Sequence, residues 1–222
     1  MFEFLNYKKT NFIGGGLRIK KGPLVFKNAQ QVDSRFVAPR KRDNRDLCIM
    51  TSNQSDTPKC AAFSMAGYIE VRNWRIKHYP EQVEPSPIYN GAKQLDGDFN
   101  PGTSLDNAAM AALNLKLISG EISFIQNTVN DIKFAIHQND VFVGGFMITN
   151  EWNSVNSKTG RISVLTEDKI IVLGGHAVLV CGYDDDGIYI QNSWGPYWGL
   201  YGFAFLSWEQ VFMQFSYGVV IN

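Results

Sequence analysis

Three side chains in this sequence could together perform nucleophilic chemistry. The first is Cys60. Thr57 and Pro58 make a helix start, because Thr caps unpaired N–H groups and Pro has no N–H to leave unpaired. Cys60 therefore falls in a first helical turn, where free amides and the positive end of the helix dipole favour a thiolate. The other cysteines, Cys48 and Cys181, sit in the apolar contexts Leu-Cys-Ile and Val-Cys-Gly, where burial keeps a thiol protonated and inert. A thiolate needs a partner that exchanges a proton near neutral pH. His78 and His137 fall at expected helix ends and read as ordinary surface or capping residues. His176 instead follows Gly174–Gly175 and is expected to open the apolar strand HAVLVCGY, held rigidly at a sheet edge. The two glycines would let another backbone or a ligand come close. Asn192 closes the next expected strand. If the two strands form a hairpin over Asp184–Asp186, its amide meets the imidazole and fixes its tautomer. Trp194, Tyr197 and Trp198 cluster just beyond and would either shield that bond from water or form an aromatic core patch.

The elements that must position these residues are legible in part. Apolar or small residues at Ala62, Met65, Ala66, Ile69 and Ile76 predict a helix over 58–77, stopping before Pro80. Further helices are expected over 104–117 and 129–138. The intervening 81–101 is rich in Pro, Gly, Asn and Asp and reads as loop. From Val141 the texture changes to short β-branched or aromatic runs at 142–149, 169–172, 177–183, 187–191, 202–206 and 218–221. Helices first and strands afterwards mean α+β rather than alternating βαβ. Residues 1–45 read as a basic, irregular lead-in packed along the body, with Gly14–Gly16 a turn or a processing site.

Composition narrows the function classes. The chain has 222 residues, 45% hydrophobic and 19% charged, enough for a sizeable core. Lys plus Arg equals Asp plus Glu at 21 each, which gives no electrostatic footprint for nucleic acid or an anionic membrane. No apolar run approaches the roughly twenty residues of a membrane span. Three cysteines are too few for a disulfide framework and fit a reducing, cytoplasmic setting, as does a start without a secretory pattern. His and Cys spacings predict no metal site, and no cofactor is called for.

Taken together, these segments resemble papain-like cysteine peptidases. Gln54–Ser64, QSDTPKCAAFS, is similar to the family's nucleophile region, Gly175–Tyr183, GHAVLVCGY, to its histidine segment, and Gln191–Gly199, QNSWGPYWG, to its asparagine segment. The order Cys, His, Asn is kept, and SPIYN at 86–90 with GTSLDNAAMAAL at 102–113 looks most like bacterial members. The resemblance implies a two-lobed fold over 31–222, a helical lobe at about 50–128 and a sheet or barrel lobe at about 129–222, with a cleft between them and residues 1–30 as a lead-in segment. It implies Cys60 as nucleophile, His176 as base and acid, Asn192 as its orienter, and Gln54 with the Cys60 amide as oxyanion donors. Gly102 and Thr103 would bind an extended substrate through their backbone beside Gly175, and Trp194 would cover the Asn–His bond and border the leaving-group side. The implied partner is a peptide or protein substrate. Acyl transfer, ligation or deamidation by the same triad, and a non-catalytic peptide-binding role, stay open. Departures are Ala61 in place of the family's Trp, and Pro58–Lys59 in place of Gly-Ser. Residues 1–30 are too short for the family's long inhibitory propeptide, so restraint by location or by an inhibitory or regulatory partner is expected.

Overall fold

The computed structural model describes residues 16–19 and 28–222. Gly14 and Gly15, the core of the expected turn or processing site, lie outside the described residues. The described order is β1 (Arg42–Asp43), α1 (Cys60–Lys77), α2 (Pro85–Asp96), α3 (Leu105–Asn114), β2 (Ile122–Ile125), α4 (Val129–Asn139), β3 (Phe142–Thr149), β4 (Val172–Tyr183), β5 (Gly187–Gln191), β6 (Phe203–Ser207), α5 (Trp208–Gln214) and β7 (Phe215–Ile221). This is the expected α+β arrangement.

Helix α1 is the spine. Its small residues Ala61, Ala62 and Ala66 let it run through the interior, with β3 and β4 on one side and α2 and α3 on the other. It begins at Cys60 rather than at Pro58, because Thr57 is not its cap. The Thr57 amide and hydroxyl both donate to the Gln54 carbonyl, closing a turn ahead of the helix. The stretch read as loop at 81–101 holds α2. Pro85 occupies its first turn, and Gly97 ends it in the left-handed conformation at φ 69°. Prolines and glycines that punctuate loops also start and stop helices, and here the second role applies. At Gly91 an added Cβ would stand 3.1 Å from the Ala111 Cβ, so α2 and α3 approach closely there.

The seven strands form one antiparallel sheet in the order β2-β7-β3-β4-β5-β6, with β1 on β4. It is open, which corrects the barrel alternative. Residues 28–30 lie along β2 through two backbone hydrogen bonds with Phe124 and cover that edge. The run expected at 169–172 is not a strand: only Val172 joins β4, which crosses Gly174 at φ 146° and continues through the expected 177–183. His176 therefore lies in mid-strand opposite Phe146, not at a strand mouth. The turn at 184–186 joins β4 to β5 as expected, with the Asp184 amide donating to the Gly187 carbonyl at 2.9 Å. Tyr68 of α1 clamps helix to sheet, its hydroxyl donating to the Ile221 carbonyl and accepting from the Ile221 amide. No described helix is long and apolar enough to cross a membrane.

Candidate active site

Cys60 is the first residue of α1 and is fully buried. Helix α1 packs on β4, and the amide of Ala177, the residue after His176, is among the backbone groups that favour the ionised Cys60 thiol, so the helix tip meets β4 near the imidazole. His176 is also fully buried, and its Nε2 lies 2.8 Å from Asn192 Oδ1. The Ser193 amide donates to that same oxygen at 2.8 Å. An atom receiving a backbone N–H must be the amide's oxygen, so His176 Nε2 carries a proton and donates it. The neutral ring then keeps its lone pair on Nδ1.

An aromatic wall holds the ring. Trp194 lies tilted over His176 with centroids 4.7 Å apart, and Trp152 meets it edge-on at 6.0 Å. Trp198 stacks on Trp152 and donates its Nε1–H to the Trp152 carbonyl. Tyr197, expected in this cluster, is fully exposed. Trp152 takes its place and was not singled out in the sequence, where only its position beside Glu151 could have drawn attention. Glu151 is completely buried and accepts from Thr149 Oγ1, Gln214 Nε2 and the Leu165 amide, while Gln214 Oε1 accepts from Trp152 Nε1 at 2.7 Å. That buried network fixes the wall.

Gln54 reaches the same site through a backbone zipper. Its amide donates to the Ser193 carbonyl, Gly195 donates to Ser52, and Asn53 pairs with Trp194. Its side chain is set by two bonds. The Ser193 hydroxyl donates to Oε1 at 2.7 Å, and Nε2 donates to the Thr57 carbonyl at 2.8 Å. Gln54, His176 and Asn192 are thus tied through Ser193 into one hydrogen-bonded cluster, with Cys60 at the tip of the helix packed on the same strand, although they come from a turn, a strand, a strand end and a helix tip.

The expected substrate-binding backbone is present and occupied. Gly16–Arg18 lies across it as an extended strand parallel to residue 103. Thr103 N donates to the Gly16 carbonyl at 2.9 Å, Arg18 N donates to the Thr103 carbonyl at 3.0 Å, and Leu17 N donates to the Gly175 carbonyl at 3.1 Å. Gly102 and Gly175 are required there, since a Cβ would stand 2.2 Å from the Gly16 carbonyl oxygen and 2.3 Å from the Leu17 carbonyl oxygen respectively. The Leu17 side chain is 5% exposed and fills a pocket beside Gly145 and Leu105. Gly16 packs against Pro58, two residues before Cys60, where an added Cβ would stand 2.6 Å from the Pro58 carbonyl oxygen. The chain's own lead-in therefore covers the candidate nucleophile.

That cover reverses the expected thiol chemistry. Burial pushes the Cys60 thiol up to about 11, against the hydrogen bonds from the Ala177, Ala61 and Gly16 amides that pull it down. With the cleft filled, the helix tip does not prevail. Burial also raises Cys181, as its apolar context predicts, and all three cysteines are free.

Helical lobe, open antiparallel sheet and the cleft at their junction define the papain-like fold. Xylellain, a cysteine protease from Xylella fastidiosa, superimposes with a TM-score of 0.79 at 20% identity, over 100% of this chain and 99% of that one. Procathepsin B of Trypanosoma congolense matches with a TM-score of 0.70 at 14% identity, over 95% and 86% of the two chains. Digestive procathepsin L 3 of Tenebrio molitor gives 0.69 at 13%, over 95% and 76%. In sequence the chain is 25% identical over 141 residues to an uncharacterized peptidase C1-like protein of Acanthamoeba polyphaga mimivirus, spanning 62% of this chain but 39% of that longer protein. No protein-family model matches the chain.

Proposed function

We propose that the chain is a cysteine-type endopeptidase acting through Cys60, His176 and Asn192. The observation that carries this is the buried His176–Asn192 bond beneath Trp194, with the buried Cys60 at the tip of the helix that packs on the strand holding His176. His176 Nδ1 takes the thiol proton, and the thiolate attacks the substrate carbonyl. Negative charge then builds on the carbonyl oxygen. The Cys60 amide is one donor, free of an intrahelical partner at the first position of α1. The Gln54 amide is the second, since its Nε2 has one hydrogen on Thr57 and one left. His176 Nδ1–H passes its proton to the leaving amine, and water releases the acyl group from sulfur. Thr103, Gly102 and Gly175 supply the backbone groups that align an extended peptide, as they already align residues 16–18. In the state described, those residues restrain the enzyme from within the chain, so no separate inhibitor is needed.

The test is trapping at Cys60. A peptidyl epoxide should label Cys60 stoichiometrically in a chain carrying Leu17→Ala, and peptide cleavage should vanish in the double variant with Cys60→Ala while the fold persists. Cleavage that survives Cys60→Ala would remove the proposed mechanism.

A further inference from the structure

The strap's next residue occupies a site of its own. Arg18 forms a two-pronged ion pair with Asp98, at 2.8 and 2.6 Å, and lies 3.7 Å from Asp96. It also donates to the carbonyls of Asn100 at 2.6 Å and Pro101 at 3.3 Å. The recess is built rather than fortuitous. The Asp96 side chain is 4% exposed and is held by Thr103 Oγ1, Asn107 Nδ2 and Lys93 Nζ at 3.1, 2.7 and 2.8 Å. Thr103 therefore links the recess directly to the strand that aligns an extended peptide. Charge completes the case. Among the described residues other than Arg18, the two carboxylates face Lys93 alone, leaving one negative charge that Arg18 neutralises. When the strap leaves, that charge and the Pro101 carbonyl lose the cation they bind, and the Asn100 carbonyl keeps Lys93.

We propose that this recess between the end of α2 and the start of α3 is a specificity subsite for a basic side chain. It would favour substrates with Arg or Lys three residues before the scissile bond and an aliphatic residue two before it. The inference rests on the peptidase reading above. Counting outward from the start of α1, Gly16 packs against Pro58, two residues before Cys60, Leu17 fills the pocket beside Gly145, and Arg18 enters the recess. An extended chain alternates its side chains, so a substrate placing an aliphatic residue in the Leu17 pocket presents its neighbour to Asp98 and Asp96. Planar, bidentate geometry favours guanidinium over ammonium there.

The experiment compares acetyl-Xaa-Leu-Gly coumarin amides with Xaa as Arg, Ala or Glu. Ratios of kcat/KM are used because strap occupancy cancels between peptides on one enzyme. Arg should exceed Ala by about tenfold, the scale of a bidentate charge pair at a half-exposed carboxylate, and Glu should be poorest. Asp98→Asn should erase most of the Arg preference, and Asp98→Lys should turn it toward Glu. Equal ratios for Arg and Ala in the unmodified chain would overturn the subsite. Binding of the same peptides to the Cys60→Ala chain gives a second reading independent of turnover. An Arg preference in binding with no cleavage even by the Leu17→Ala chain, whose strap is loosened, would sustain the subsite and refute the peptidase reading. Equal binding of the Arg and Ala peptides would refute the subsite whether or not the chain cleaves.

Discussion

Replacing Leu17 by Ala should open the cleft without disturbing the catalytic groups. Leu17 is 5% exposed and its side chain is the main apolar anchor of the strap, while its amide's bond to Gly175 and the bonds of Gly16 and Arg18 to Thr103 survive the change. The substitution removes three buried carbons. At about 0.8 kcal/mol each, less some relaxation of a segment at the surface, seating weakens by about 2 kcal/mol. Each 1.4 kcal/mol is tenfold, so the open population rises about 30-fold. The assay is site-resolved alkylation of the full chain by iodoacetamide at pH 7, read by mass spectrometry. Cys60 should label about 30-fold faster, in proportion to the open population, while buried Cys48 and Cys181 keep their slow rates and report that the fold is intact. The pH profile should move as well. In the strapped chain burial holds the thiol at about 11, and exposure to water should bring its midpoint down toward the ordinary thiol range. A Cys60 rate within twofold of the unmodified chain would refute the reasoning. So would a parallel rise at all three cysteines, which would mean general unfolding.

Other consequences are equally direct. Asp98 is held well below the ordinary carboxylate range, chiefly by its hydrogen bonds from Arg18. A depressed carboxylate contributes stability that is present above its unfolded value and lost only as pH falls through the folded one. The latch should therefore stay shut at pH 4.5, and Cys60 should stay protected there against dithiodipyridine, a thiol reagent active in acid. Rapid labelling at that pH would contradict the pairing. Gln54→Ala should lower kcat by roughly 10²–10³ with little change in KM, as loss of one oxyanion donor does. Asn192→Ala should lower kcat by roughly 10–10², because the imidazole loses the bond that fixes its proton on Nε2. Glu151→Ala should cost about 2–4 kcal/mol in urea unfolding, since three donors lose a buried acceptor; a loss below about 1 kcal/mol would make the network dispensable.

The candidate site was more legible in the sequence than the path of the chain around it. Cys60, His176 and Asn192 stood out because their neighbours are local signals: a Pro beside a helix start, a glycine pair before an apolar run, and an aromatic cluster after a strand. Residue type and near spacing fix such features. Helix α2 escaped because Pro85, Pro87, Gly91 and Gly97 are the same letters whether they end a loop or bracket a helix. The short strand β2 and helix α5 escaped because four and seven residues carry too little periodicity to be distinguished from their surroundings.

What the sequence by itself determined is a first half dominated by helices and a second half dominated by strands, and the identities of the groups that could form a thiol–imidazole–amide relay. Tertiary structure alone decided the rest. Trp152 lies next to His176 only because Glu151 and Gln214 meet in the interior. The proton on His176 Nε2 follows from the Ser193 amide, a backbone group with no signature in the sequence. A strap of three residues crosses the cleft because Gly102 and Gly175, far apart in the chain, have no Cβ where it passes, and because two aspartates await its arginine. Local pattern records what a residue can do. Long-range packing sets what it faces, and so leaves the Cys60 thiol protonated beneath residues that composition read as a simple lead-in.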